Sequence, residues 1–157
     1  MNEYDIPRVG AEEIRFFMSE AAASKKLRCA KILHKKGDEF NHVFNFLLED
    51  SYMQPHLHPG PEKIEKIHLI QGSLASIFFD DNGNIVNTKV LMTGGQDFIE
   101  IPAFSWHTYV MLTPEVITYE TMMGVYEPGT WKKFPEWAPE EGLKISANYL
   151  QQLRSLL

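Results

Sequence analysis

After residue 23 the chain stops repeating at a helical period. Short apolar runs alternate with turn residues instead: HVFNFLLED, MQPHLH, EKIHLIQG, LASIFFDDNGNIVNTKVLM, QDFIEIP, WHTYVML and EVITYETMMG. Runs of this length, rich in Val, Ile, Phe, Tyr and Thr and closed by Gly, Pro, Asn or Asp, read as strands. Asn82-Gly83 within DDNGN predicts a tight hairpin, because both residues tolerate positive φ. TGGQ and LTPE mark further turns. Strands at such regular spacing point to an all-β barrel or sandwich. Upstream, Ala11 to Ala23 reads as a helix. Glu12 and Glu13 occupy its first turn, where the helix dipole favours acids, and Ile14, Phe17 and Met18 form one apolar stripe. The basic residues Lys25, Lys26 and Arg28 follow it. The tail YEPGTWKKFPEWAPEEG predicts an irregular wrap, and a short helix around Ile145 to Leu156 closes the chain. This divides one domain over 1–157 into a helix and lead-in strand (1–35), a barrel core (36–126) and a C-terminal wrap (127–157).

A chain of 157 residues suits a single domain with a useful core. Its net charge of -6 and pI near 5.5 leave no electrostatic footprint for nucleic acid or an anionic membrane. The single cysteine, Cys29, excludes a disulfide within the chain, reads as structural, and suggests a reducing compartment. MNEYDIPRVG lacks a basic segment followed by an apolar one, and no apolar run approaches the roughly 20 residues needed to span a bilayer. The expectation is a cytoplasmic protein.

One constellation stands out. On a strand, residues i and i+2 share a face, so His56 and His58 present two imidazoles together. In Lys63 to Gln71, an inward Ile67 and Leu69 carry Glu65 inward with them. A carboxylate facing a core is costly unless it is paired or binds a metal. His68 and Glu62 then lie on the opposite face. A third imidazole, His107, shares its strand face with Tyr109 and Met111, after a turn over Pro102 to Ser105. Each feature has an ordinary explanation: a surface histidine pair, a hydrogen-bonded histidine, a half-exposed glutamate. Their convergence is far more specific and predicts one divalent transition metal, with Zn, Fe, Mn and Ni all compatible with imidazole and carboxylate donors. Arg28, His34 and Lys63 are candidates for holding an anionic ligand group at the barrel mouth. Phe104, Tyr109 and Trp106 are candidates for an apolar pocket wall, with core packing the simpler role for Trp106. Trp137 in FPEWAP should cover an apolar surface.

These residues resemble a known pattern. His56-x-His58, Glu65 and then Gly72 resemble the first cupin motif; Gly95 and Pro102-x-Phe104-x-x-His107 resemble the second. Three departures are visible. PGPEKI lengthens the gap from His58 to Glu65, Phe104 stands where glycine is common, and no asparagine stands four residues after His107. PHLHP…KIE, IFFDDNGNI, EIPAFSWHT and FPEWAPEEG, with the preceding RCAKILH, are together similar to the WbuC-type cupin metalloproteins over nearly the whole chain. The resemblance implies a cupin-type β-barrel, that is, a jelly roll or double-stranded β-helix, with metal ligands His56, His58, Glu65 and His107. It also implies an association with bacterial surface-polysaccharide (O-antigen) gene clusters, and no particular reaction.

The expectation is therefore a metal-dependent enzyme acting on a sugar or sugar nucleotide, as an isomerase, epimerase or lyase in the first place and an Fe(II) dioxygenase in the second. The alternative is a non-enzymatic cupin that senses a small carbohydrate. A homodimer is expected, because cupins commonly pair through their sheets and LASIFFD has apolar residues on both faces.

Overall fold

The structure is a computed structural model that describes residues 5–157; the first four residues of the polar N-terminal stretch lie outside the described residues. Two helices and eight strands follow the order α1 (Ala11–Ala23), β1 (Arg28–Ile32), β2 (Phe40–Leu48), β3 (Glu65–Gln71), β4 (Ser73–Phe79), β5 (Ile85–Met92), β6 (Phe98–Ile101), β7 (Trp106–Met111), β8 (Glu115–Met123) and α2 (Lys144–Ser155). The strands form two antiparallel sheets. One has the order β1-β2-β8-β3-β6 and the other β5-β4-β7.

Alternation along the strands decides what lies between the sheets. Leu47, Ile67, Leu69, Leu74, Leu91, Ile99, Ile101, Tyr109, Met111 and Val116 meet in one buried cluster fed by strands of both sheets. A Leu or Ile buried this fully stabilises the fold by about 1.5–3 kcal/mol. The opposite face of the larger sheet carries Phe44, Phe46, Ile117 and Tyr119, which α1 covers with Met18 and Ala21, while Phe17 stacks on Phe46 at 5.0 Å. Cys29 packs at the edge of this cluster. The outer face of the smaller sheet is covered by α2, through Leu150 and Leu153 against Ile77, Phe79 and Val110, with Trp106 and Trp137 alongside. Both faces of LASIFFD are thus covered within the chain. Exposed apolar residues lie instead on β5, at Ile85, Val86, Val90 and Met92.

Two local expectations need correction. MQPHLH forms no strand, only isolated bridges at His56 and Leu57, because Pro55 and Pro59 cannot donate to a ladder. The hairpin after β4 is not a two-residue turn. Gly83 alone has positive φ (84°), and Asp80 closes a longer loop by accepting from the backbone N–H groups of Asn82 and Asn84. Pairing slips by one residue between Phe78 and Phe79 as a result. A Cβ on Gly83 would meet the Trp137 ring at 2.7 Å, so close packing by the wrap adds a second demand for glycine there.

Gly72 and Gly94 separate conformation from crowding. Both have left-handed φ, at 85° and 81°. A Cβ at Gly94 meets nothing within 4 Å, whereas one at Gly72 would strike Thr113 Oγ1 at 2.5 Å and the Glu115 carbonyl. Gly94→Ala should cost about 1–2 kcal/mol, the left-handed penalty alone. Gly72→Ala should cost at least about 3 kcal/mol, because overpacking adds to that penalty. Urea unfolding of the two variants checks this; equal losses would contradict it.

Candidate metal centre

His56, His58, Glu65 and His107 come together in the space between the sheets. Each offers one ligand atom, and the four atoms lie within 4.8 Å of one another. Their residues are 0–2% exposed. Glu65 arrives on the inward face of β3 with Ile67 and Leu69, and His107 on the inward face of β7 with Tyr109 and Met111. The lengthened loop before β3 does not displace Glu65. His56 and His58 come from an extended segment held on both sides. His56 exchanges two backbone hydrogen bonds with His107, at 3.0 and 2.9 Å, and Leu57 exchanges two with Lys133 in the wrap, at 3.0 and 2.9 Å. The i, i+2 geometry therefore survives without a regular strand.

The hydrogen bonds assign the tautomers. His56 Nδ1–H donates to the Gln54 carbonyl at 3.0 Å, His58 to that of Trp131 at 2.8 Å and His107 to that of Ser105 at 2.8 Å. A carbonyl only accepts, so each Nδ1 carries a proton, and the neutral form of each ring keeps its lone pair on Nε2. Glu65 Oε2 lies 2.9 Å from His107 Nε2 and 3.3 Å from His58 Nε2. These distances are short, yet all three atoms are buried without a partner in hydrogen-bond geometry. Neutral imidazoles bonded in this way cannot donate to the carboxylate. Three lone pairs and an anionic oxygen facing one another lack a cation, and the donor set fits a divalent transition metal. The other carboxylate oxygen, Oε1, accepts from Tyr109 Oη at 2.6 Å, which leaves Oε2 aimed at the cluster.

The electrostatics agree. Burial would raise the Glu65 carboxyl, but the His107 and His58 side chains facing it outweigh burial and hold it well below the usual range. Burial, helped by the charge of Lys132, holds His56 well below the usual imidazole range, so it stays neutral and able to ligate. Burial lifts the Tyr109 hydroxyl well above the normal phenol range, and Glu65 and Glu120 add to it, so Tyr109 remains a donor.

A cavity of about 760 Å³ adjoins the cluster. Gln54, Glu120, Trp131 and Phe134 form the wall between them. The carbonyls of Gln54 and Trp131 orient two ligands, and the Phe134 ring stands 6.3 Å from that of His56. The residues chosen from sequence scatter around it. Arg28 and His34 line the cavity, but Arg28 is paired with Glu141 at 2.6 Å and donates to the Tyr52 carbonyl at 3.0 Å. Lys63 is buried over the Trp131 ring at 4.8 Å, outside the cavity lining. Tyr109 lies in the core behind Glu65. Phe104 is exposed and lines a shallower groove with Trp106. Its φ of 62° is left-handed, which accounts for glycine being common at this place in the motif, and its N–H ties the turn to the His58 carbonyl at 3.1 Å. Sequence reasoning missed Glu120 and Asn45, which bond at 2.8 Å on the cavity wall. The signal existed: Val116, Thr118 and Glu120 alternate on one face, the pattern that singled out Glu65. Burial, and then Glu65, push the Glu120 carboxyl well above the usual range.

A family model described as "Domain of unknown function (DUF6016)" matches residues 10–91, just over half of the chain. No curated protein matches it. Among solved structures, it is similar to the capsular polysaccharide assembling protein CapF from Staphylococcus aureus, with a TM-score of 0.59 and 17% identity over 68% of this chain and 31% of that one. It is also similar to a cupin 2 conserved barrel domain protein from Rhodopseudomonas palustris, with a TM-score of 0.53 and 10% identity over 70% and 68% of the two chains. The chain spans about a third of the length of CapF. At these identities the likeness establishes the cupin fold.

Metal analysis of variants tests the donor set. His56→Ala and His107→Ala should lose most bound metal, and Glu65→Gln should weaken binding less. Tyr109→Phe should lower affinity about tenfold while keeping the stoichiometry, as expected for a residue that orients a ligand. His68, on the other face of β3 and packed on Phe98, should be replaceable by Ala without change. Loss of metal in His68→Ala with retention in His107→Ala would overturn the assignment.

Proposed function

The chain belongs to the DUF6016 family, and we propose that it is a metal-dependent enzyme acting on a sugar or sugar nucleotide in the building of a bacterial surface polysaccharide. The reaction class we favour is isomerisation, epimerisation or elimination. The observation that carries this reading is the set of four converging donor atoms beside an open cavity of mixed polar and apolar lining. A divalent metal held by His56, His58, Glu65 and His107 would supply a Lewis acid there. The chain's own residues supply the rest. Asn45 and Glu120 present an amide and a carboxyl to ligand hydroxyls. Tyr126, Trp131 and Phe134 give the cavity aromatic surface on which the apolar face of a sugar ring packs. The WbuC-like motifs, and the description of CapF as a capsular polysaccharide assembling protein, support the same substrate class.

Metal content of the purified protein comes first, followed by a thermal-shift screen of sugar nucleotides. A ligand at about 100 times its Kd stabilises by about 2.7 kcal/mol, which for a domain of this size raises Tm by roughly 5–10 °C. The expected result is such a shift in the metal-loaded protein with at least one sugar nucleotide, and conversion of that compound followed by NMR. Binding without conversion would make the chain a sensor. Absence of metal, both as purified and on titration, would overturn the proposal.

A further inference from the structure

The cavity wall carries four basic side chains, Lys26, Arg28, His34 and Lys132. Three are already engaged. Arg28 and Lys26 share the carboxylate of Glu141, at 2.6 and 3.2 Å. His34 Nδ1 accepts the backbone N–H of His42 at 3.1 Å. Two further lysines nearby face elsewhere: Lys63 lies over the Trp131 ring at 4.8 Å and Lys133 over the Trp106 ring at 6.0 Å. Lys132 is half-buried, lines the cavity, and among the described residues makes no ion pair or side-chain hydrogen bond. Its place is fixed by its neighbours, since the Trp131 carbonyl binds His58 and Lys133 is paired to Leu57 through the backbone. The ammonium group is thus carried on the segment bonded to the metal-ligand loop, and its charge is felt at His56 and Glu120. Asn41, also on the cavity wall, keeps a buried Oδ1 without a partner.

Glu120, Glu140 and Glu141 line the same cavity, yet none of them forms an ion pair with Lys132, and a half-buried ammonium left unpaired is costly unless a ligand completes it. We propose that Lys132 anchors the negatively charged group of a sugar acid or sugar phosphate bound in the cavity beside the His–Glu cluster. Asn41, Asn45 and Glu120 meet its hydroxyls. This narrows the substrate class proposed above to anionic sugars and rests on that reading for the placement of the reacting end. The charge preference itself belongs to Lys132 and is measurable with or without metal.

The test is calorimetric titration of the full chain, zinc-loaded and after stripping with EDTA, using glucuronate, glucose 1-phosphate and glucose as probes. At least one anionic probe should bind tenfold or more tightly than glucose, and which one does distinguishes carboxylate from phosphate. Lys132→Met should lose about tenfold for that probe, and Lys132→Arg should stay within about threefold of wild type, as expected for one charge-assisted contact. Lys133→Met should bind normally, and all variants should hold as much zinc as wild type. If no zinc is taken up, the enzyme reading fails, while the anion preference and its loss in Lys132→Met still appear in the stripped protein. If zinc is bound but Lys132→Met binds like wild type, glucose equals the anions, or no probe binds, the Lys132 proposal is overturned.

Discussion

Three imidazoles and a carboxylate oxygen face one another at a buried point between the sheets, and much of the surrounding structure keeps them there. Such an arrangement is unfavourable by itself, because nothing in it donates. It persists because each imidazole is held from behind: every Nδ1–H is bonded to a backbone carbonyl, and Tyr109 holds the second oxygen of Glu65. Those bonds fix both the tautomer and the direction of each ligand.

The holding carbonyls come from three parts of the chain. Gln54 belongs to the loop after β2, Ser105 to the turn before β7, and Trp131 to the wrap. The wrap is therefore part of the centre. Lys133 completes a short ladder in which Leu57 is bonded on one side while His56 is bonded to His107 on the other. The segment that closes the cavity is the same segment that aligns His58.

The larger sheet divides its work between two faces. Outward, aromatic residues pack under α1; inward, an apolar end gives way to a polar one where Asn45, Glu120 and Glu65 stand close together. A buried carboxyl and a half-buried one so near each other do not both carry charge easily, and their environments push them apart. The imidazoles hold Glu65 down, while burial and Glu65 itself push Glu120 up.

The sequence by itself determined the parts whose cause is local. Alternation placed Glu65, His107 and Tyr109 inward; turn residues cut the chain into strands; the stripe of Ile14, Phe17 and Met18 defined α1 to the residue. The four ligands were legible because side-chain direction on an extended chain has a period of two. Tertiary structure decided what depends on partners distant in sequence. Arg28 is a basic residue in sequence, but Glu141, more than a hundred positions away, occupies it. Lys63 and Lys132 look alike as letters, yet one lies over Trp131 and the other is left facing the cavity. The carbonyls that orient the imidazoles carry no side-chain signal, because every residue has one. Which carbonyl meets which histidine follows only from how the wrap and the loops close around the barrel.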